Sequence, residues 1–167
     1  MDGTYVGDLP VSDADSHLME SLDWLHDHAD AATRERLPDL NLEMGGGQRM
    51  RETIERAGDA APVDAGTLVG AEVAAAPKGW SALGAMSSRD RSVALDALGF
   101  RQQLVFTTFA SAQYLFSSDL DLVYGGAAAH NRGIAEFCSD DDRLLPVASL
   151  PLNDLDRAEQ TLDDALE

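Results

Sequence analysis

The apolar and polar positions of this chain first follow the period of a strand and then the period of a helix. Residues 9–17 are extended in character, Leu9-Pro10-Val11 leading into Ser12-Asp13-Ala14-Asp15-Ser16-His17, and are assigned to a first strand. In residues 18–37, Leu18, Leu22, Leu25 and Ala29 recur at helical intervals with Trp24 beside them, and Pro38 ends the stretch, which therefore reads as mostly helical. Residues 38–88 keep no sustained period. They hold Gly45-Gly46-Gly47, a polar run from Gln48 to Arg56 that suits a short helix, and then Gly58, Pro62, Gly66, Gly70, Pro77 and Gly79. This is a long excursion with short helices, not a second domain.

Regularity returns at Ser88-Arg89-Asp90-Arg91, which opens a helix with apolar positions Val93, Ala94, Ala97 and Leu98 and a stop at Gly99. Gln103-Leu104-Val105-Phe106-Thr107-Thr108 is short and almost continuously apolar, as in a buried parallel strand. Residues 126–139 predict a helix with Ala127, Ile134 and Phe137 on one side, and Leu144-Leu145-Pro146-Val147-Ala148-Ser149-Leu150 a third strand. Asn153 or Asp154 would cap a last helix, with Asp156 and Glu159 near its positive end and a stripe of Leu155, Ala158, Leu162 and Ala165. Strands alternating with helices predict a parallel sheet with helical crossovers. The last helix reaches Glu167 without a stop signal, and three strands alone would leave large apolar edges, so the expectation is the front portion of a larger domain.

Composition narrows the picture. The 167 residues are 44% hydrophobic and 25% charged, ordinary for a soluble globular protein. A net charge of −18 repels phosphate backbones and anionic membranes, so neither nucleic acid nor membrane is an expected partner. No run approaches the roughly 20 apolar residues of a membrane span. Met1-Asp2-Gly3-Thr4-Tyr5 has no basic and apolar leader, and the single cysteine, Cys138, suits a reducing compartment, so the expected location is cytoplasmic.

The candidate chemistry lies at the end of the first strand. With side chains alternating between faces, Asp13, Asp15 and His17 share one face, and Glu20 follows three residues later. Two carboxylates and an imidazole there suit a divalent cation, while the plainer alternative is a strand end whose carboxylates cap the next helix. Glu20, placed one helical turn beyond His17, either orients the imidazole or is a solvated first-turn acid. Other groups suggest less. His26 and His28 diverge on a helix and read as surface residues, and His130-Asn131-Arg132 as a surface or interface cluster. Gly45-Gly46-Gly47 lacks the setting of a phosphate loop, Cys138 has acids nearby that would raise its thiol, and Asp140-Asp141-Asp142 reads as a solvated turn. Trp24 and Trp80 read as packing residues.

Three stretches resemble the amidohydrolase-2 branch of the amidohydrolase superfamily, which includes metal-dependent hydrolases and aminocarboxymuconate-semialdehyde decarboxylase-like enzymes. Val11 to Glu20 resembles its opening motif. Leu95-Asp96-Ala97-Leu98-Gly99-Phe100 with Leu104 to Thr108 resembles its first helix and second strand. Ala129 to Phe137 with Arg143 to Leu152 resembles its second helix and third strand. The resemblance implies an α/β fold, the N-terminal portion of a TIM (β/α)8 barrel with a long helical insertion after strand 1. It makes residues 1–167 an incomplete barrel domain that carries strands 1–3 with their crossover helices, and 38–88 an irregular insertion. It also implies a metal at the carboxyl ends of the strands.

By position, the resemblance makes Asp15 the first metal ligand and His17 the second, with Asp13 and Glu20 in supporting places. Asp where the family more often has His hardens the donor set, so manganese competes with zinc. The family's remaining ligands and its general acid or base fall outside these residues, and no catalytic residue is assigned here. The implied function is metal-dependent hydrolysis or nonoxidative decarboxylation of a small organic acid or amide, with this chain alone inactive and a homo-oligomer expected. A truncated paralogue or half-barrel that acts as a non-catalytic binding or assembly subunit is the alternative.

Overall fold

The computed structural model describes residues 4–42, 47–63 and 68–166. Its frame is a sheet of three parallel strands in the order β1-β2-β3, with β1 Val11–His17, β2 Phe100–Phe106 and β3 Leu144–Pro146. His17 lies opposite Phe106, and Val105 opposite Pro146, so the carboxyl ends of the strands come together at one edge. The mixed α/β architecture and the parallel pairing agree with the alternation of periods in the sequence. Among the described residues no helix is long and apolar enough to cross a membrane.

Several boundaries differ from the sequence expectation, each for a local reason. Residues 18–37 are not mostly helical. They form two short helices, α1 Trp24–His28 and α2 Ala31–Arg34. The N–H groups of Leu18 and Met19 donate to the carbonyls of Phe106 and Ala85, each at 2.8 Å, which keeps the chain extended past β1. Ala29 is extended and Asp30 starts α2 by accepting from the Thr33 N–H at 2.9 Å. Leu18, Leu25 and Ala29 are buried all the same, so their spacing marked burial and not conformation.

Among its described residues the excursion carries α3 Gln48–Gly58, α4 Gly70–Ala75 and a 3-10 turn at Gly79–Ser81. Gly45, Gly46 and Gly66 lie outside the described residues, as does Glu167 at the expected end of the last helix. α5 Ser88–Leu98 follows the expectation, opened by the Ser87 hydroxyl on the Asp90 N–H. It is closed by Gly99 at φ 78°, where a β-carbon would stand 2.5 Å from the Thr4 side chain. β2 starts at Phe100, three residues before the expected strand, and alternates rather than being buried throughout, with Gln103 and Val105 inward and Leu104 outward.

α6 Leu120–Cys138 begins six residues before the expected 126. Asp119 caps it by accepting from the N–H groups of Asp121 and Leu122. Gly125 and Gly126 sit inside the helix, where Thr33 and Tyr114 press against it. A β-carbon at Gly126 would lie 2.4 Å from the Tyr114 side chain. β3 stops at Pro146 instead of 150, because Asn131 takes the backbone of Ser149 with both ends of its amide, at 2.7 and 3.1 Å. Asp154 caps α7 Leu155–Leu166 through the Arg157 N–H. Of the expected stripe on α7 only Ala158 is buried, with Thr161 beside it, while Leu155 is 74% exposed.

Three apolar clusters hold these elements. Leu25, Ala29, Leu37, Ala110, Tyr114, Ala127 and Ala129 join the segment after β1 to α6. Leu18, Leu95, Val105, Ile134, Cys138 and Leu144 fill the space between the sheet and its crossover helices. Leu40, Leu42, Ile54 and Trp80 form the core of the excursion, which reaches the sheet through Met19 and Leu22.

A polar network is sealed beneath α6. The Tyr114 hydroxyl bridges His130 Nδ1 at 3.1 Å and Ser149 Oγ at 2.8 Å. His130 is only 5% exposed, so it is a core residue and not the surface group its sequence context suggested. Burial raises the Tyr114 phenol to about 12 and lowers the His130 imidazole to about 4, the latter against a hydrogen bond to the Val147 backbone. The unfolded chain therefore binds this proton at a higher pH than the folded chain does. The His130 contribution to stability is full above about pH 6.5, falls as the pH drops towards about 4, and then levels off. By linkage the loss is up to ~3 kcal/mol. His130→Asn is expected to flatten this part of the pH profile, read from urea midpoints at several pH values across the window; an unaltered slope in the variant would refute the assignment.

Candidate functional site

β1 presents Asp15 and His17 together at the carboxyl end of the sheet. The His17 ring stacks on Phe106, with centroids 5.6 Å apart and planes 28° apart. Its Nδ1 lies 3.0 Å from the Thr107 carbonyl oxygen and its Nε2 3.2 Å from Asp15 Oδ1. A carbonyl only accepts, so Nδ1 carries the hydrogen and Nε2 faces the carboxylate. Both side chains reach solvent, Asp15 almost fully.

The expected supporting residues take different places from those the sequence suggested. Asp13 does not join the Asp15–His17 pair. Its Oδ1 accepts from the Asp15 N–H at 3.0 Å and its Oδ2 from Gln103 Nε2 at 3.2 Å, so it braces the strand beneath Asp15. Glu20 makes no hydrogen bond to the imidazole and is not solvated, being 1% exposed. Because the chain stays extended past β1, Glu20 is not one helical turn above His17 but reaches across to the segment after β2. There its Oε1 accepts from the N–H groups of Thr108, Phe109 and Ala110 at 2.7, 2.8 and 2.9 Å. Its Oε2 is buried without a hydrogen-bond partner among the described residues.

Arg91 is the functional-site residue that sequence reading missed. It projects from α5 under the end of β1 and is 6% exposed. Its guanidinium donates to the Gly84 carbonyl at 2.7 Å, the His17 carbonyl at 2.8 Å, the Ser16 hydroxyl and Gln103 Oε1. Burial lowers its pKa, against the attraction of Asp13 and Cys138. The signal was present in the sequence: Arg91 precedes Ala94 and Leu95 by three and four positions, which puts it on the buried stripe of its own helix.

Elsewhere the titratable groups are structural. His26 and His28 are half-buried and not surface groups: His26 Nε2 meets the Leu37 carbonyl at 3.2 Å, and His28 spans the Trp24 carbonyl and Glu136. Cys138 is buried, and burial raises its thiol to about 11 against the pull of Arg91, so burial and not the neighbouring acids makes it inert. Asp141 grips Arg143, which holds its carboxyl far below the usual range, so this member of the acidic triplet is not a free solvated group. Trp80 packs as expected, stacked on Phe109 with its indole N–H on the Glu20 carbonyl at 2.9 Å.

Asp15 and His17 thus give one oxygen and one nitrogen donor. Among the described residues, no three His, Cys, Asp or Glu side chains are grouped to hold a metal ion. No family model and no curated protein matches this sequence.

Removing the buried cation tests how the site is held. Arg91→Met keeps much of the side-chain length but leaves the Gly84 and His17 carbonyls, Ser16 and Gln103 without their donor. The expected loss is about 2–4 kcal/mol, measured by urea denaturation; a loss within error of zero would show that Arg91 does not hold the strand end.

Proposed function

We propose that this chain supplies the opening β/α units of a metal-dependent hydrolase or nonoxidative decarboxylase of the amidohydrolase-2 type, with Asp15 and His17 as the first pair of ligands to zinc or manganese. The observation that carries the reading is the orientation of His17. With Nδ1–H committed to the Thr107 carbonyl, Nε2 is the ring nitrogen left to hold a proton or a cation, and it faces Asp15 Oδ1 at 3.2 Å. Two electron-rich atoms so placed repel unless a proton or a cation lies between them. A backbone carbonyl that fixes the far nitrogen of an imidazole is also the usual outer support of a histidine ligand.

The placement supports the same reading. The pair stands at the carboxyl end of a parallel sheet whose strands neighbour one another in chain order, the arrangement expected of the first strands of a TIM barrel and of the edge where such barrels act. His28 and Glu136 make a similar pair at 3.4 Å, but between α1 and α6 and away from the strand ends, where an ion pair that docks two helices is the sufficient account.

The donor types suit a divalent ion of intermediate hardness. When bound, that ion would polarise a substrate carbonyl or carboxylate, or activate a water molecule. The residues of this chain have simpler tasks. Asp15 supplies negative charge, His17 a neutral nitrogen, Asp13 fixes the Asp15 backbone, and Thr107 fixes the imidazole. The substrate class is a small organic acid or amide, and the proton-transferring group is contributed from outside these residues.

A second reading, a half-barrel that assembles without chemistry, is favoured by one observation: Leu152, Leu155 and Leu166 are each more than 70% exposed near or along α7. Metal titration separates the two. Calorimetric titration with Mn²⁺ or Zn²⁺ is expected to show binding to the intact sequence, at least about tenfold weaker binding to Asp15→Ala, and none to His17→Ala. Absence of binding to the parent chain, or equal binding by His17→Ala, would remove the metal-dependent reading and leave assembly as the function to pursue.

A further inference from the structure

We infer that Glu20 is a positioning residue that sets which nitrogen of His17 is free, by holding one peptide plane between them. The effect on metal binding rests on the function proposed above; the effect on His17 itself does not.

The geometry is specific. The carbonyl that receives His17 Nδ1–H belongs to Thr107, and the N–H of the same peptide unit belongs to Thr108. That N–H donates to Glu20 Oε1 at 2.7 Å while the carbonyl accepts from His17 at 3.0 Å. In a planar trans peptide the two groups point in opposite directions, so fixing one aims the other. Glu20 therefore acts on His17 across a single rigid plane without touching it.

The hold is redundant on the Glu20 side. Phe109 and Ala110 donate to the same oxygen, so three successive amides converge on one buried carboxylate. The Thr108 hydroxyl donates to the Leu18 carbonyl at 2.7 Å, and Leu18 N–H to the Phe106 carbonyl at 2.8 Å. Glu20 is itself pinned by the Trp80 indole, which stacks on Phe109 with centroids 5.2 Å apart. One oxygen of the carboxylate thus takes three donors and the other, Oε2, has none among the described residues. An acceptor at Oε1 is what the loop requires.

Without that acceptor the 107–108 peptide loses its orientation and can turn its N–H towards His17. An imidazole facing an N–H presents a bare Nδ1 and carries its hydrogen on Nε2, which removes the lone pair directed at Asp15. Glu20→Gln keeps an oxygen at the Oε1 position and should preserve the arrangement, whereas Glu20→Ala should not.

The experiment uses the whole metal-free chain with ¹⁵N-labelled histidine, at an alkaline pH where imidazoles are neutral. The parent and Glu20→Gln are expected to show His17 protonated at Nδ1 and bare at Nε2. Glu20→Ala is expected to show a mixture or the opposite form. If Glu20→Ala does not fold, Glu20→Asp, whose carboxylate is set back by one methylene, is read in its place with the same expectation. A folded Ala or Asp variant that retains the parent pattern overturns the proposal, and so does a Gln variant that loses it. Titration with Mn²⁺ then separates the two claims. Affinity about tenfold weaker in the Ala or Asp variant and close to the parent value in Glu20→Gln supports positioning of a ligand. A parent chain that binds no Mn²⁺ while the tautomer still shifts would overturn the metal reading and leave the role of Glu20 intact.

Discussion

The buried guanidinium of Arg91 is the constraint on which the rest of the arrangement depends. A charge taken out of water costs several kcal/mol unless it is well hydrogen-bonded, and here four neutral groups accept from it: two carbonyls, a hydroxyl and an amide. Those partners belong to three different parts of the chain, and the arginine to a fourth. Gly84 closes the excursion, Ser16 and His17 end β1, Gln103 is an inward residue of β2, and Arg91 itself rides on α5. The cation is satisfied only when all of them are in place. Gly84 is part of the same device, with φ at +73° and no room for a β-carbon, which would lie 2.3 Å from Arg91 Cα. The guanidinium also lies over the Phe137 ring, 5.7 Å from its centroid, which brings α6 against the same centre.

From that centre the order passes outward to the candidate site. Arg91 holds Gln103, Gln103 donates to Asp13, and Asp13 receives the Asp15 N–H, so the strand that carries the two candidate ligands is braced from beneath. His17 is held at both ends, its backbone carbonyl by Arg91 and its ring by Thr107. The pair stands at the surface, yet the Asp15 backbone and the His17 ring are each held by a hydrogen bond. Such preorganisation is what a ligand pair needs and what a solvated strand end does not.

Much of the frame was legible in the sequence. The alternation of strand and helix periods predicted a parallel sheet, Gly99 marked the end of α5, and Asn153 or Asp154 the start of α7, of which Asp154 is the cap. The misreadings share a cause. Leu18 to Ala29 looked helical but only share burial, and Leu144 to Leu150 looked like one strand until Asn131 takes its later backbone groups. In each case a partner remote in sequence decides the outcome, and spacing along the chain carries no information about it.

The candidate site divides in the same way. By itself the sequence determined that Asp15 and His17 leave one strand on one face, because side chains in a strand alternate, and that the strand ends there; the same alternation predicted Asp13 beside them, but the β1 register shifts between Asp13 and Ser16 and turns Asp13 inward. It determined the acidic surface and the absence of any long apolar run. Only the tertiary structure decided that Asp13 turns down to Gln103 while Asp15 turns to His17, that Glu20 is buried against the loop after β2, and that a lone arginine on an apolar stripe lies at the centre of the fold. The physical reason is that, the Asp15–His17 contact aside, the hydrogen bonds of Asp13, Glu20 and Ser16 that decide this join groups some 75 to 90 residues apart. They exist only once the strands have paired, and a local pattern of residues has no means of recording them.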